Sequence, residues 1–278
     1  MSFKIVSDSS SNIFNFAQVD YATVPLKIIT EQGEYADTPE LDVDGMIDDL
    51  KTVKGRTRTS CPNAYEWQSA FGDADCVFAV TITSNLSGSY AAACKAREDA
   101  LAENPSRKIA VIDSLSTGPE MQLLIEKLGE EILSGKSFEE VEAAVREYAK
   151  HTHLLFSLQS LANLARNGRV NGVVAKVAGL LGIRMIGMAS AEGTLELLHK
   201  TRGKAKTLET IYAEMKHRGY CGGRLRIAHC QNPDKAQALV DMVRADYADA
   251  DITVLPTTAL CSYYAELGGL MIGFEDIK

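Results

Sequence analysis

Cys76-Val-Phe-Ala-Val-Thr-Ile-Thr-Ser-Asn-Leu-Ser-Gly-Ser-Tyr90 begins as a short apolar, β-prone run and ends in hydroxyl, amide and glycine residues. Strong helix formers follow from Ala91 to Leu101, so the stretch reads as a strand turning into a helix that starts near Ser87. The first amides of a helix lack intrahelical partners and lie at the positive end of its dipole. Ser84, Ser87 and Ser89 would gather there, and Gly88 would let a ligand approach the backbone. Such a turn suits a carboxylate or a phosphate. The plainer alternative is that one serine caps the helix while the others face solvent.

Upstream, Gly55-Arg-Thr-Arg-Thr-Ser-Cys-Pro-Asn63 precedes a helical pattern from Ala64 to Phe71. Pro62 favours an extended Cys61 and the start of a helix, which places Thr59 and Ser60 at a second hydroxyl-rich helix start. Phe3 to Val6 reads as a first strand, followed by the turn Ser7-Asp-Ser-Ser-Ser-Asn12, whose acid and hydroxyls are expected to cap local amides. Ala22 to Ile29 is a further apolar run, and Leu41, Met46, Ile47 and Leu50 recur at helical spacing. Downstream, Ser106 to Asp113 predicts another buried strand, and Glu120 to Lys150 a helical segment broken near Gly135. Strand and helix alternate throughout, which predicts an open, mainly parallel, Rossmann-like sheet with helices on both sides. In such a sheet both hydroxyl-rich turns open onto one crevice.

The composition changes after His151, and a second α/β layer domain is expected over 153–278, following an N-terminal domain over 1–152. A helix is predicted from Phe156 to Asn167, ending at Gly168 as a left-handed cap. A second helix of small apolar residues is expected next. Ile183 to Met188 and Leu195 to Leu198 read as strands joined by a turn at Glu192-Gly193. A helix from Lys204 shows Leu208, Ile211, Tyr212 and Met215 on one face, and two more strands, Leu225 to Cys230 and Ile252 to Leu255, flank another helix.

The 278 residues are 46% hydrophobic and carry a net charge of -8, an ordinary globular balance without a basic stripe for tracking nucleic acid. The apolar stretch Val173 to Ala189 holds Lys176 and Arg184, so it predicts core and not a membrane span. No basic leader precedes the first strand, and a cytoplasmic protein is expected. The six cysteines form no C-x-x-C pair and read as reduced thiols. His151 and His153 share strand spacing but lack companions to complete a metal shell. Neither a G-x-G-x-x-G after the first strand nor a phosphate-binding P-loop motif occurs, so no nucleotide cofactor is expected.

Taken in order, Ile5-Val-Ser-Asp-Ser-Ser-Ser11, Thr59-Ser-Cys-Pro62, Ser84-Asn-Leu-Ser-Gly-Ser-Tyr90, Val111-Ile-Asp-Ser114, Leu161-Ala-Asn-Leu-Ala-Arg-Asn-Gly-Arg-Val170, Leu180-Leu-Gly-Ile-Arg-Met-Ile186 and His199-Lys-Thr-Arg-Gly-Lys-Ala205 resemble the DegV family of fatty-acid-binding proteins nearly end to end. The resemblance implies two α/β domains with one long-chain fatty acid in an apolar tunnel between them. It implies a bacterial, non-catalytic carrier without a cofactor, which presents the lipid to a fatty-acid kinase that makes the acyl phosphate and touches membrane surfaces at most transiently. By the same likeness Thr59, Ser60, Ser84 and Ser87 would hold the carboxylate, Gly88 would permit close approach, and Arg169 and Arg202 would assist head-group recognition or kinase docking. One residue departs from the pattern: Tyr264 stands where the family usually has a histidine, and it carries no charge near neutral pH. Glu266 nearby would disfavour an anion if it faced the site. Two other readings stay open, a binder of a small phosphate or other polar anion and a serine-nucleophile hydrolase, the latter without a G-x-S-x-G elbow.

Overall fold

A computed structural model describes residues 2–53, 55–170 and 182–277. Strands β1 (Phe3–Asp8), β2 (Asp20–Val24), β6 (Cys76–Thr81) and β7 (Lys108–Asp113) form one sheet in the order β2-β1-β6-β7, with every neighbouring pair parallel. All six residues of β6 are buried, as expected of a strand covered on both faces. Alternation sends Val6, Val77 and Ala79 to one side, against Trp67 and Phe71 of α2 (Ala64–Phe71) and the alanines 93, 96 and 100 of α3 (Ser89–Glu103). Ile5, Phe78 and Val80 go to the other side, against Leu124 and Leu128 of α4 (Pro119–Leu133) and Val141 and Val145 of α5 (Phe138–Tyr148).

The run Ala22 to Ile29 is not one strand. Pro25 interrupts it, and β3 (Lys27–Thr30) leaves the parallel sheet to join β4 (Gly33–Ala36) and β5 (Arg58–Ser60) in a small antiparallel sheet, order β4-β3-β5. Helix α1 (Val43–Thr52), capped by the Asp42 carboxylate, packs Met46 and Ile47 beneath it.

The larger sheet has the order β10-β9-β8-β13-β11-β12, from β8 (Thr152–Leu158), β9 (Ile183–Ala189), β10 (Leu195–Arg202), β11 (Leu225–His229), β12 (Ile252–Pro256) and β13 (Leu270–Glu275). The helical pattern expected from Phe156 starts later. Phe156 and Leu158 belong to β8, and α6 covers Ala162–Arg166; apolar residues at strand spacing run straight into apolar residues at helical spacing there. Strand β13 was hidden among glycines. Gly273 admits the first turn of α4, since a Cβ on it would lie 2.5 Å from the Pro119 carbonyl carbon. The predicted β9–β10 hairpin is present, with Gly193 at φ +72° in its turn. The helix expected between Arg169 and Ile183 lies outside the described residues.

One face of this sheet is sealed by α7 (Lys204–His217) and α8 (Pro233–Asp246), which meet Leu155, Ile227 and Ile272. The opposite face turns Leu154, Phe156 and Met271 toward Ile28, Met46 and α9 (Ala259–Ala265). The two parts share their cores there: Leu260 of α9 packs with Leu124 and Ile82, while its neighbour Cys261 packs with Phe156. Among the described residues no helix is long and apolar enough to cross a membrane.

Candidate functional site between the two sheets

The site is assembled from three chain segments, each fixed by its own local bonding. At and just before β5, alternation buries Thr57, exposes Arg58 and returns Thr59 toward the interior, where Thr59 Oγ1 and Tyr264 Oη lie 2.7 Å apart. Thr59 and Ser60 therefore stand on a strand and not at a helix start. The first turn of α2 is capped by Asn63, whose side chain accepts from the Glu66 amide while Glu66 accepts from the Asn63 amide, a reciprocal capping box.

The turn after β6 is pinned from beneath by the wholly buried Asp8 carboxylate, which accepts from the Ile82 amide at 2.9 Å and from Ser89 Oγ at 2.7 Å. Ser10 donates to it as well. Burial raises the Asp8 carboxyl above its ordinary range, and these donors oppose that shift. Asp8 and its serines thus have the structural role the sequence favoured. Helix α3 begins at Ser89, two residues later than expected, with Gly88 at the cap position and no side-chain cap. Of the two helix starts anticipated, this one borders the cavity between the two sheets, through Ser87 and Gly88 at its edge.

The third segment is α9. Its first amides, Ala259 and Leu260, donate to the buried Asp37 carboxylate at 2.8 and 3.1 Å. The Thr258 amide donates to Asn12. These contacts aim Tyr263 and Tyr264 toward β5, where Tyr263 Oη meets Thr57 Oγ1 at 2.6 Å and accepts from Asn167 Nδ2 at 2.9 Å.

Together these segments enclose a cavity of about 280 Å³. Leu26, Ile82, Leu154, Phe156, Leu260 and Met271 supply apolar walls, and Thr59, Ser60, Ser87, Gly88, Arg169 and Tyr264 also line it. The polar members are neighbours: Thr59 bonds Tyr264, a Cβ on Gly88 would lie 3.1 Å from Cys61 Sγ, and Arg169 Nε donates to the Leu86 carbonyl at 3.1 Å. Burial raises the Tyr264 phenol above its ordinary range, while Thr59 and the nearby Arg169 charge act the other way, so Tyr264 stays a neutral donor at physiological pH. Among the described lining residues there is no carboxylate or imidazole.

Two predicted residues lie elsewhere. Ser84 is exposed and does not line the cavity; its amide is held by Asp113 at 3.1 Å. Arg202 ends the edge strand β10, exposed and away from the lining. Glu266 accepts from the Asn163 amide at 3.0 Å, so its carboxylate supports the start of α6. Sequence reasoning missed Asp37 and Cys61. Cys61 sits inside the quoted Thr59-Ser-Cys-Pro62 element, whereas Asp37 meets α9 more than two hundred residues away and left no local signal.

This arrangement can be set beside known proteins. The model of the DegV family, described as uncharacterised proteins, matches residues 2–276. The chain belongs to the DegV family. A DegV domain-containing protein of Streptococcus pneumoniae is 41% identical over 99% of both chains. A DegV family protein from Eubacterium eligens, solved loaded with heptadecanoic acid, is 44% identical with a TM-score of 0.97 over 99% of this chain and 100% of that one. The Fatty Acid Kinase (Fak) B3 protein of Streptococcus pneumoniae, solved loaded with linoleic acid, is 41% identical with a TM-score of 0.98 over the full length of both chains. The DegV fold, with its parallel sheet, its larger mixed sheet and a cavity between them, is therefore the fold of this chain.

Proposed function

We propose that this DegV protein binds one long-chain fatty acid, with its acyl chain along the Leu154, Phe156 and Met271 walls and its carboxylate at Thr59, Ser60, Ser87 and Tyr264. The observation that carries this reading is the division of one cavity between apolar walls and a bonded cluster of neutral donors beside Arg169. Apolar surface holds a chain without polar partners, and hydroxyl donors hold an ionised oxygen more strongly than a neutral one. The fatty acids in the Eubacterium eligens and Streptococcus pneumoniae relatives support it. The largely apolar walls speak against a small polar anion as the ligand. Because no carboxylate or imidazole is among the described lining residues, none of them is placed to activate the serines as nucleophiles, and the reading we favour is a carrier that needs no cofactor. It works in a reducing cytoplasm, where six free thiols are stable, and hands its lipid to a fatty-acid kinase for acyl-phosphate formation, a partnership in keeping with the name of the Fak B3 relative.

Titration of palmitate into the parent, Thr59→Ala and Ser87→Ala tests the assignment. Losing one charge-assisted hydrogen bond costs about 1.5–3 kcal/mol, so each variant is expected to bind at least about tenfold more weakly while melting within a few degrees of the parent. Parent-like affinity in both would place the carboxylate elsewhere.

A further inference from the structure

Strand β5 and the two residues before it have two working faces. Thr57 and Thr59 turn inward to Tyr263 and Tyr264, while Arg56 and Arg58 turn outward and are exposed. On that outer side a concavity of about 730 Å³ is bounded by Arg56, Arg58 and Arg166, with Thr57, Asn167 and Glu31 also on its walls. Arg166 is exposed and donates to Thr57 Oγ1 at 3.3 Å and to Asn163 Oδ1 at 3.1 Å. Among the described residues no acidic side chain lies within ion-pair distance of Arg56, Arg58 or Arg166. Three guanidiniums are therefore collected around one hollow, with Glu31 as its one acid among the described residues, on a chain whose net charge is -8.

The hollow shares a wall with the lipid cavity. Thr57 Oγ1 receives Arg166 from the outer side and meets Tyr263 Oη from the inner side, and the next residue, Tyr264, lines the lipid cavity and bonds Thr59. Whatever docks against the arginines comes to rest beside the polar corner of the cavity.

We propose that the Arg56–Arg58–Arg166 hollow docks an acidic surface of the protein that receives the bound lipid, a proposal that rests on the carrier reading above. Guanidinium forks pair with carboxylates in two-bond geometry and are favoured at protein interfaces. The hollow is wide and its arginines are exposed, unlike a compact, buried cradle for free phosphate. Its walls are mostly polar and offer little to insert into a lipid surface. On a chain of net charge -8, a basic hollow also helps orient the encounter.

The test uses full-length protein loaded with palmitate, the fatty-acid kinase of Streptococcus pneumoniae and ATP, with acyl phosphate as readout, comparing the parent with Arg56→Glu/Arg58→Glu. The expected result is a KM for the loaded variant raised at least about tenfold, with kcat and palmitate affinity unchanged. Added salt should raise the parent's KM more steeply than the variant's, because it screens exposed charges. An unchanged KM overturns the proposal, and so does a parent that binds palmitate but is not turned over by the kinase. A variant with unchanged KM that no longer binds phosphatidylglycerol vesicles would assign the hollow to lipid head groups instead. A parent that fails to bind palmitate overturns the carrier reading itself, which separates the two failures.

Discussion

Tyr264 sits 2.7 Å from Thr59 Oγ1, at the position where the DegV resemblance led us to expect a histidine. A phenol whose burial raises it further gives the same neutral donor across the physiological range, whereas an imidazole gains a positive charge as pH falls through about 6.5. In Tyr264→His, palmitate affinity is expected to rise several-fold between pH 8 and pH 5.5, because the imidazolium form attracts the carboxylate. The parent should show no matching change, as titration calorimetry at the two pH values would reveal. A variant with the parent's pH profile would mean that residue 264 does not meet the head group. Thr59, Ser60, Ser87 and Gly88 were legible as candidates because each lies in a short hydroxyl- or glycine-rich motif, whereas Arg169 and Tyr264 were marked only by the DegV resemblance. Ser84 belongs to the same motif but lies outside the lining, because Asp113, 29 residues further on, takes its amide. No pattern within the motif distinguishes it from Ser87.

At the level of elements, strands and helices read well where one periodicity filled the segment, as in β6 and α2. They read poorly where two periodicities met without punctuation, as in β8 running into α6. Long-range capping was not legible at all. Helix α9 has no side-chain cap of its own, and its Ala259 and Leu260 amides depend on Asp37. Replacing Asp37 with Ala leaves these buried amides without an acceptor and is expected to cost about 1–2 kcal/mol in urea unfolding. Since α9 also aims Tyr264, palmitate binding should weaken in the same variant. Unchanged stability together with unchanged binding would show that α9 holds its place without Asp37.

Across the whole molecule, α4 links the parallel sheet to the larger one, and its Glu120 is buried against β8, accepting from Thr152 Oγ1 at 2.9 Å. Burial pushes the Glu120 carboxyl up to about 7, and burial likewise lifts Asp37 to about 6. A carboxyl whose value is raised by folding binds more protons in the folded state, so stability falls as pH rises from about 4.5 to about 7. Glu120→Gln keeps an acceptor for Thr152 and removes the charge. It is expected to match the parent near pH 4.5 and to exceed it at pH 8 by up to about 3 kcal/mol, as denaturant unfolding at both pH values would measure. A variant less stable than the parent at pH 8 would show that the ionised carboxylate is well accommodated between the sheets.

The layered α/β order was legible along the chain, but the sharing of one cavity by three distant segments was not, because it arises only when α9 packs between β5 and β8. That cavity carries the functional reading. Its most direct test is native mass spectrometry of the protein purified from a bacterial host, followed by solvent extraction of whatever it holds. One fatty acid per chain, recovered on extraction and lost or weakened in Thr59→Ala, is the expected result. An empty protein that also takes up no added palmitate would contradict the carrier function.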